Sequence, residues 1–207
     1  MLSALIAIVL LVIVTGALHE DGLADVADGF FGGHDRATKL AIMRDSAIGT
    51  YGTLALMGSL GIRVLCLAAL IGTHDIGTAM LAFLAVGGLS RAAMLIPWSL
   101  MPAARPIESV TPNEAIEKPA AGLSARYGAP NREIALPALL FAIPALVALI
   151  LAVGMVGAIM ALCAGLGVTY LTMRLADRHI GGHTGDVLGA TQQLSEAGLY
   201  LALVIAM

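Results

Sequence analysis

Three aspartates that follow the first apolar segment have a spacing suited to metal binding. Asp21, Asp25 and Asp28 occupy positions i, i+4 and i+7, so on an α-helix they project from one narrow face. Like charges at this spacing repel one another, and a cation is needed to hold them together. Mg²⁺ prefers oxygen ligands and is usually held by one or two carboxylates with substrate phosphates. The spacing therefore predicts a divalent-metal site, with a solvated acidic helix end as the alternative.

Neighbouring residues of the same segment lie off this face. His19 falls about 160° from Asp21 on the helical wheel, which favours a structural role over metal binding. Glu20 also lies off the acidic face and is expected to be a bystander. The small residues Gly22 and Gly29 leave room for a ligand or a neighbouring helix to approach.

Two further polar clusters precede apolar runs later in the sequence. The first, MRDSAIGTYG at 43–52, contains Arg44, Asp45 and Ser46; the second, GGHTGDVLGA at 181–190, contains His183, Thr184 and Asp186. A glycine-rich turn that leads into a helix offers free backbone N–H groups, and the helix dipole favours a phosphate there. Either cluster alone is also explained by simple helix capping. The indication of a site comes from the three polar segments taken together.

The composition shows which elements must position these residues. Of 207 residues, 59% are hydrophobic and 12% are charged, whereas about a quarter of residues are charged in soluble proteins. We therefore predict an integral membrane protein, an all-α polytopic helix bundle that forms a single domain over residues 1–207. A bilayer core about 30 Å thick requires roughly 20 apolar helical residues, and this criterion predicts about six transmembrane spans. They lie at about 2–18, 48–72, 75–101, 134–153, 155–173 and 185–207.

The basic residues predict how these spans are oriented. Arg63 and Arg91 lie within spans, and all other Lys and Arg residues lie in the first, third and fifth connections. By the positive-inside rule these odd connections, including the long loop at 102–133, are cytoplasmic. The three polar segments would then share the cytoplasmic face of the membrane.

Two charged residues are predicted to lie deep in the membrane. Arg91 and Glu196 each lie about ten residues from a cytoplasmic helix end, or about 15 Å deep. Because an unpaired charge at that depth is costly, the two are expected to form a buried ion pair, or else Arg91 faces a polar cavity and binds a substrate phosphate. Arg63, nearer the opposite face, is expected to reach outward or to pair with another residue.

The three polar segments together resemble the signature segments of a known enzyme family. HEDGLADVADGFFGG, MRDSAIGTYG and GGHTGDVLGA are similar, in order and separation, to motifs of the cobalamin synthases, the adenosylcobinamide-GDP ribazoletransferases. The resemblance runs from about residue 15 to the end of the sequence. Members of that family typically carry further hydrophobic segments ahead of the acidic motif. This chain starts with the single span that leads into the motif, so we expect those N-terminal segments to be lacking.

The resemblance implies a multi-pass enzyme of the prokaryotic inner membrane with its active face in the cytoplasm. Such an enzyme requires Mg²⁺ and joins adenosylcobinamide-GDP to α-ribazole or α-ribazole 5'-phosphate, releasing GMP in the last steps of cobalamin biosynthesis. Its expected partners are these two substrates and membrane lipid, with a homo-oligomer left open and no nucleic acid.

The expected roles of the site residues follow from this reaction. The expected metal ligands are Asp21, Asp25, Asp28 and Asp45, and the residues expected to bind substrate phosphates are Arg44, Arg91, Ser46, His183 and Thr184. Arg44 also has a catalytic role, because it neutralises charge on phosphate oxygens. Either Asp28 or Asp186 accepts the proton of the attacking ribazole hydroxyl, and the sequence leaves both open.

Two other functions are compatible with parts of the pattern. The acidic motif is similar to that of the CDP-alcohol phosphotransferases, but Asp25 stands where those enzymes have Arg after Ala. A phosphatidyltransferase of that type is therefore the second choice. A membrane cation transporter would instead require acidic residues near the bilayer midplane and repeat symmetry. The acids here cluster at one predicted face, which favours the transferase.

Overall fold

The computed structural model describes residues 1–105 and 132–206, and every regular element in these ranges is an α-helix. The helices are α1 (Leu2–Val14), α2 (Leu18–Gly32), α3 (Arg36–Ile42), α4 (Thr50–Thr73), α5 (Ile76–Ala93), α6 (Leu95–Leu100), α7 (Arg132–Ile180) and α8 (Gly185–Ile205). The prediction of an all-α membrane helix bundle is confirmed. Most of the predicted loop at 102–133 lies outside the described residues.

Three stretches of the described chain are long and apolar enough to cross a membrane. They are α4, the continuous pair α5 and α6 (Ile76–Leu100), and Ala142–Ile180 within α7. A fourth is obtained when α1 and α2 are counted together. α8 is not among them, because its first twelve residues include polar ones such as Gln192, Gln193 and Glu196. The predicted total of six spans stays a prediction.

A sharp bend separates α1 from α2. Gly16 and Ala17 adopt left-handed backbone conformations, with φ of 64° and 55°, and the two helices differ in direction by 88°. Such a φ is unfavourable for Ala17, because its Cβ atom crowds the backbone. The acidic residues therefore lie on a helix of their own, and not at the end of the helix predicted over 2–18.

The helix α7 is kinked at Gly154, whose φ of 73° and ψ of 174° are far from helical values. A Cβ atom on Gly88 would lie 2.9 Å from Cβ of Ala145, and the next residue along α5, Leu89, lines a cavity together with Leu162. Positions 145 and 162 would be about 25 Å apart on a straight helix, so the kink allows the parts of α7 before and after Gly154 to pack against the same region of α5.

Helices α2 and α8 form the centre of the bundle and run antiparallel. Gly22 of α2 lies against the backbone of Asp186, and Gly189 of α8 lies against that of His19. The helices α4, α5 and α7 pack around this pair. We call the end of the bundle where α2 and α7 stop and α4 and α8 begin the site end. An apolar cluster that includes Ile8, Leu67, Val86, Leu149 and Leu203 fills the opposite half.

Candidate functional site

Asp28 holds the start of α4 against α2. Its Oδ2 accepts the backbone N–H of Gly49 at 2.7 Å, and its Oδ1 accepts that of Gly52 at 2.9 Å. These N–H groups belong to the start of α4, where no main-chain acceptor is available and where the helix dipole favours negative charge. Both oxygens of this buried carboxylate are therefore engaged with backbone donors.

Asp21, Asp25 and Asp186 form the open acidic part of the site end, which we call the carboxylate cluster. Asp21 is exposed, and Asp25 and Asp186 are half-buried. The charges of Asp21 and Asp186 both act on Asp25. A close approach of α2 to α8 makes this possible, because a Cβ atom on Gly22 would lie 2.8 Å from the carbonyl oxygen of Asp186. The fold thus brings the first and third polar segments together.

Two arginines face the carboxylate cluster. Nη2 of Arg105 lies 3.9 Å from Oδ2 of Asp186 and donates to the carbonyl oxygen of Leu40 at 3.2 Å. The charge of Arg44 acts on both Asp186 and Arg105. Burial raises the pKa of Asp186, while the Arg105 guanidinium, a hydrogen bond from the Thr184 hydroxyl and Arg44 act to lower it. The site end thus combines carboxylates with guanidinium groups, which suits a diphosphate bound through a metal ion.

The segment before α8 is fixed by backbone pairing with the segment after α6. The N–H of His183 donates to the carbonyl oxygen of Pro102 at 2.8 Å, and the N–H of Ala104 donates to that of His183 at 2.8 Å. Burial lowers the pKa of His183 and thus favours the neutral form of its ring; its role in phosphate binding stays a prediction. Oγ1 of the buried Thr184 accepts the N–H of Val187 at 3.3 Å, which caps α8.

Arg36 of α3, for which the sequence predicts no role, clamps this pairing. Its Nε donates to the carbonyl oxygen of Ile180 at 2.7 Å, and its Nη2 donates to that of Ala104 at 2.6 Å. One planar guanidinium thereby joins the end of α7 to the segment after α6, which the rigid geometry of an arginine fork allows. Arg36 therefore holds in place the two segments that carry Arg105 and His183.

The deep ion pair differs from the prediction. Glu196 accepts a hydrogen bond from Nε of Arg63 at 3.0 Å, whereas Nη1 of Arg91 donates to the carbonyl oxygen of Gly87 at 2.8 Å. Glu20, expected to be a bystander, is buried and accepts from Nη1 of Arg63 at 3.1 Å. Depth alone predicted the wrong pair, because pairing also depends on the rotation of each helix about its own axis.

Three predicted site residues lie apart from the carboxylate cluster. Asp45 and Ser46 are on the exposed turn before α4, and Oδ1 of Asp45 accepts the N–H of Ala47 at 3.1 Å within that turn. Arg91 is half-buried on α5, where its charge acts on His19. No contact in the described part of the chain joins these three residues to the carboxylate cluster. Their roles in metal or phosphate binding stay predictions.

The donor groups of the carboxylate cluster fit a Mg²⁺ ion. All of them are carboxylate oxygens, and like charges this close favour a bound cation. Within residues 1–105 and 132–206, no three His, Cys, Asp or Glu side chains are close enough to bind one metal ion together. Mg²⁺ needs only one or two protein carboxylates when substrate phosphates supply further ligands. Asp21 and Asp25, which share one face of α2, are therefore the first candidates to hold it.

Sequence reasoning missed Arg105 and Glu20. Arg105 has no periodic or motif signal, because it lies at the start of a long polar connection and far from Asp186 in the sequence. Glu20 could have been identified, because the sequence also contains Arg63, a buried-span arginine without an assigned partner. A carboxylate beside an apolar helix start is a natural partner for such an arginine.

Comparison with known proteins finds relatives over almost the whole chain. The family model described as Cobalamin-5-phosphate synthase matches residues 1–204. Proteins named adenosylcobinamide-GDP ribazoletransferase from Sinorhizobium medicae and Bradyrhizobium diazoefficiens are 45% and 44% identical to this chain, covering 93% and 97% of it and 69% of each relative. A protein of the same name from Rhizobium meliloti is 42% identical, over 99% of this chain and 73% of its own length. No solved structure matches the chain.

Proposed function

The chain belongs to the cobalamin-5-phosphate synthase family and is an enzyme of cobalamin biosynthesis, and we propose that it is a Mg²⁺-dependent adenosylcobinamide-GDP ribazoletransferase. In the proposed reaction, the 3'-hydroxyl of α-ribazole or of its 5'-phosphate attacks the phosphorus attached to cobinamide. The bond from that phosphorus to the bridging oxygen breaks, and GMP leaves. The other product is adenosylcobalamin or its 5'-phosphate.

The juxtaposition of the carboxylate cluster with Arg105 and Arg44 is the observation that carries the proposal. Asp21 and Asp25 would hold Mg²⁺, which when bound supplies Lewis-acid stabilisation of charge on a diphosphate. The guanidinium groups of Arg105 and Arg44 offer hydrogen-bond donors to the remaining phosphate oxygens. Phosphoryl transfer depends mainly on such positioning and charge neutralisation, so these residues suit the reaction.

Asp186 is a better candidate than Asp28 for the group that accepts the proton of the attacking hydroxyl. Both oxygens of Asp28 already accept backbone N–H groups, so neither is free to accept the proton of a substrate hydroxyl. Burial instead raises the pKa of Asp186, and a carboxylate with a raised pKa takes up a proton more readily at neutral pH. Asp186 also lies beside the arginines that would orient the diphosphate.

We also propose that the site end faces the cytoplasm at the prokaryotic inner membrane. Arg36, Lys39, Arg44 and Arg105 all belong to this end of the bundle, and positively charged connections remain on the cytoplasmic side. Both water-soluble parts of the reaction, the nucleoside diphosphate and the ribazole, would then reach the site from the cytoplasm.

The proposal is tested with the purified chain in lipid vesicles, supplied with adenosylcobinamide-GDP, α-ribazole and Mg²⁺. We expect cobalamin and GMP to form in equal amounts, and EDTA or the omission of α-ribazole to stop both. Asp25→Asn should abolish turnover, whereas Arg174→Gln, a change at an exposed position on α7, should not. Turnover unaffected by EDTA would contradict the Mg²⁺ assignment. A parallel assay supplies CDP-diacylglycerol in place of adenosylcobinamide-GDP. Transfer of its phosphatidyl group would indicate a phosphatidyltransferase.

A further inference from the structure

We infer that Arg63 is a positioning residue, which fixes the register of α2 against α8 and thereby the distance from Asp21 and Asp25 to Asp186. Its significance for catalysis rests on the proposed function, whereas its effect on helix register does not. Arg63 itself lies away from the carboxylate cluster, in the middle of α4, and it acts through Glu20 and Glu196.

One guanidinium connects three helices. Arg63 is 1% exposed, and it donates from Nε to Oε1 of Glu196 on α8 at 3.0 Å. It also donates from Nη1 to Oε1 of Glu20 on α2 at 3.1 Å. Both carboxylates are buried as well. The ion pairs therefore tie α2 and α8 to the same point on α4.

Side-chain amides close this network on both sides. Nη1 of Arg63 donates to Oε1 of Gln193 at 2.5 Å, and Nε2 of Gln193 donates to Oε1 of Glu20 at 2.8 Å. Nε2 of Gln192 bonds Oε2 of Glu196 and also donates to Oγ of Ser90 on α5 at 3.1 Å. The network thus extends to a fourth helix, and a shift of α2 or α8 would break several of its bonds together.

Glycines form the contact between α2 and α8, so the register of these two helices has to be fixed by other interactions. Gly22 lies against the backbone of Asp186, and Gly189 lies against that of His19. Small residues allow a close approach but supply no side chains that interlock to prevent sliding. The buried polar groups supply the register instead, as a single buried polar residue does in coiled coils.

The ion pair between Glu20 and Arg63 fixes the rotation of α2 about its axis, and with it the direction in which Asp21 and Asp25 point. Glu20 and Asp21 are consecutive, so their side chains point about 100° apart around α2. With Glu20 turned inward to Arg63, Asp21 and Asp25 are turned toward Asp186. A slip by one residue would rotate the acidic face by about 100° and move it by about 1.5 Å along the helix axis.

Loss of Arg63 would also introduce a repulsion. Two carboxylates, Glu20 and Glu196, share this one guanidinium in a buried setting. Removing the cation leaves two buried negative charges close together, which is much more unfavourable than removing the whole group of charges. The helices α2 and α8 would then be driven apart or rotated.

The test compares Arg63→Gln with Arg63→Lys, which keeps the charge but not the fork. The triple variant Glu20→Gln/Arg63→Gln/Glu196→Gln removes every charge of the network and guards against a simple failure to fold. Arg174→Gln serves as the matched control, since it removes an exposed arginine outside the network. Each protein is purified in lipid, and only those that elute as a single folded species are compared.

The first readout is a distance and requires no activity. Spin labels are attached through Leu18→Cys and Ile205→Cys, with Cys66→Ala and Cys163→Ser in the background. Gly189 lies against the backbone of Leu18, and Ile205 is 16 residues further along α8, so the labels are about 24 Å apart. We expect one narrow distance in the unsubstituted protein and in the control, but a shifted or broadened distribution in Arg63→Gln and in the triple variant.

The second readout is kinetic. Because a displacement of about 1 Å can cost about 100-fold in rate, we expect kcat to fall about 100-fold in Arg63→Gln while KM for adenosylcobinamide-GDP stays within about threefold. Arg63→Lys should recover part of this loss. Mn²⁺ binding measured by electron paramagnetic resonance, without substrate, should weaken in parallel with kcat.

The outcomes separate the two proposals. An unchanged distance distribution in folded Arg63→Gln or in the folded triple variant would overturn the register role, and so would unchanged kcat and Mn²⁺ affinity. If the unsubstituted protein neither turns over nor binds Mn²⁺, the proposed function fails, and the distance measurement still decides the role of Arg63.

Discussion

Oδ1 of Asp28 accepts the backbone N–H of Gly52 at 2.9 Å, across the contact between α2 and α4. An acidic residue of the predicted metal-binding face thus serves as the acceptor for the first turn of another helix. Asp21 and Asp25, on the same face of α2, lie in the carboxylate cluster instead. The three acids of one helix face therefore have two different environments, and substitutions should separate them.

Asp28→Asn should lower the stability of the protein, whereas Asp25→Asn should abolish its turnover. The amide at position 28 can accept one of the two N–H groups of Gly49 and Gly52 but leaves the other unpaired, which costs about 1–3 kcal/mol of stability. Asp25→Asn relieves repulsion from Asp21 and Asp186, so the stability should be retained while turnover is lost. Thermal unfolding in detergent and the rate of GMP release measure the two effects. Equal melting temperatures for the two variants would contradict the capping role of Asp28.

Gly52→Ala should destabilise the protein, in contrast to Gly58→Ala on the same helix. A Cβ atom at position 52 would lie 3.0 Å from the carbonyl oxygen of Ala24 and collide with a carboxylate oxygen of Asp28. Nothing lies within 4 Å of a Cβ atom at position 58. We expect a loss of about 1–3 kcal/mol for Gly52→Ala and a neutral or slightly stabilising effect for Gly58→Ala. Thermal unfolding of both variants checks this, and a similar cost at both positions would argue against the close α2–α4 contact.

Arg36→Lys should lower both the stability of the protein and the rate of GMP release, although the positive charge is kept. A lysine cannot reproduce the two-pronged donation to the carbonyl oxygens of Ile180 and Ala104, so one of them loses its partner, at about 1–3 kcal/mol. Because these segments carry Arg105 and His183, the rate of GMP release should fall as well. Arg174→Lys is the control. A rate and a melting temperature equal to those of the unsubstituted protein would show that the clamp is dispensable.

Arg105→Gln should move the acidic limb of the pH–rate profile to higher pH. The Arg105 guanidinium favours the charged carboxylate of Asp186 and so lowers a pKa that burial raises. Without this cation the pKa of Asp186 rises further, and a higher pH is needed to deprotonate the proposed proton acceptor. Arg105→Lys, which keeps the charge, should leave the limb close to its original position. A limb that stays in place in Arg105→Gln would exclude Asp186 as the group that titrates.

The membrane bundle and the meeting of the first and third polar segments could be predicted from the sequence. Composition excludes a soluble fold, and basic residues in alternate connections imply that Asp21 and Asp186 share one end of the molecule. The structure agrees with that reasoning because both residues lie near helix termini. Topology alone decides at which end of the bundle a helix terminus lies. Whether two residues near such termini meet therefore depends less on how each helix is rotated about its axis.

The bend before α2 and the pairing of Arg63 with Glu196 could not be predicted. Nothing in the local sequence demands a left-handed Ala17, since that conformation depends on how α1 and α2 pack against the rest of the bundle. Likewise, Arg91 and Glu196 share a predicted depth, but depth does not determine which way each side chain points around its helix. Only the packed bundle shows that Glu196 faces Arg63.

The kink at Gly154 has a consequence for where α7 can end. A straight helix over Arg132–Ile180 would be about 74 Å long, more than twice the thickness of a bilayer core of about 30 Å. The end of α7 and the start of α8, which carries Asp186, could then not both stay within the bundle beside Asp21 and Asp25. The backbone of one glycine, with φ of 73°, thus helps to keep the two halves of the candidate site within reach of each other.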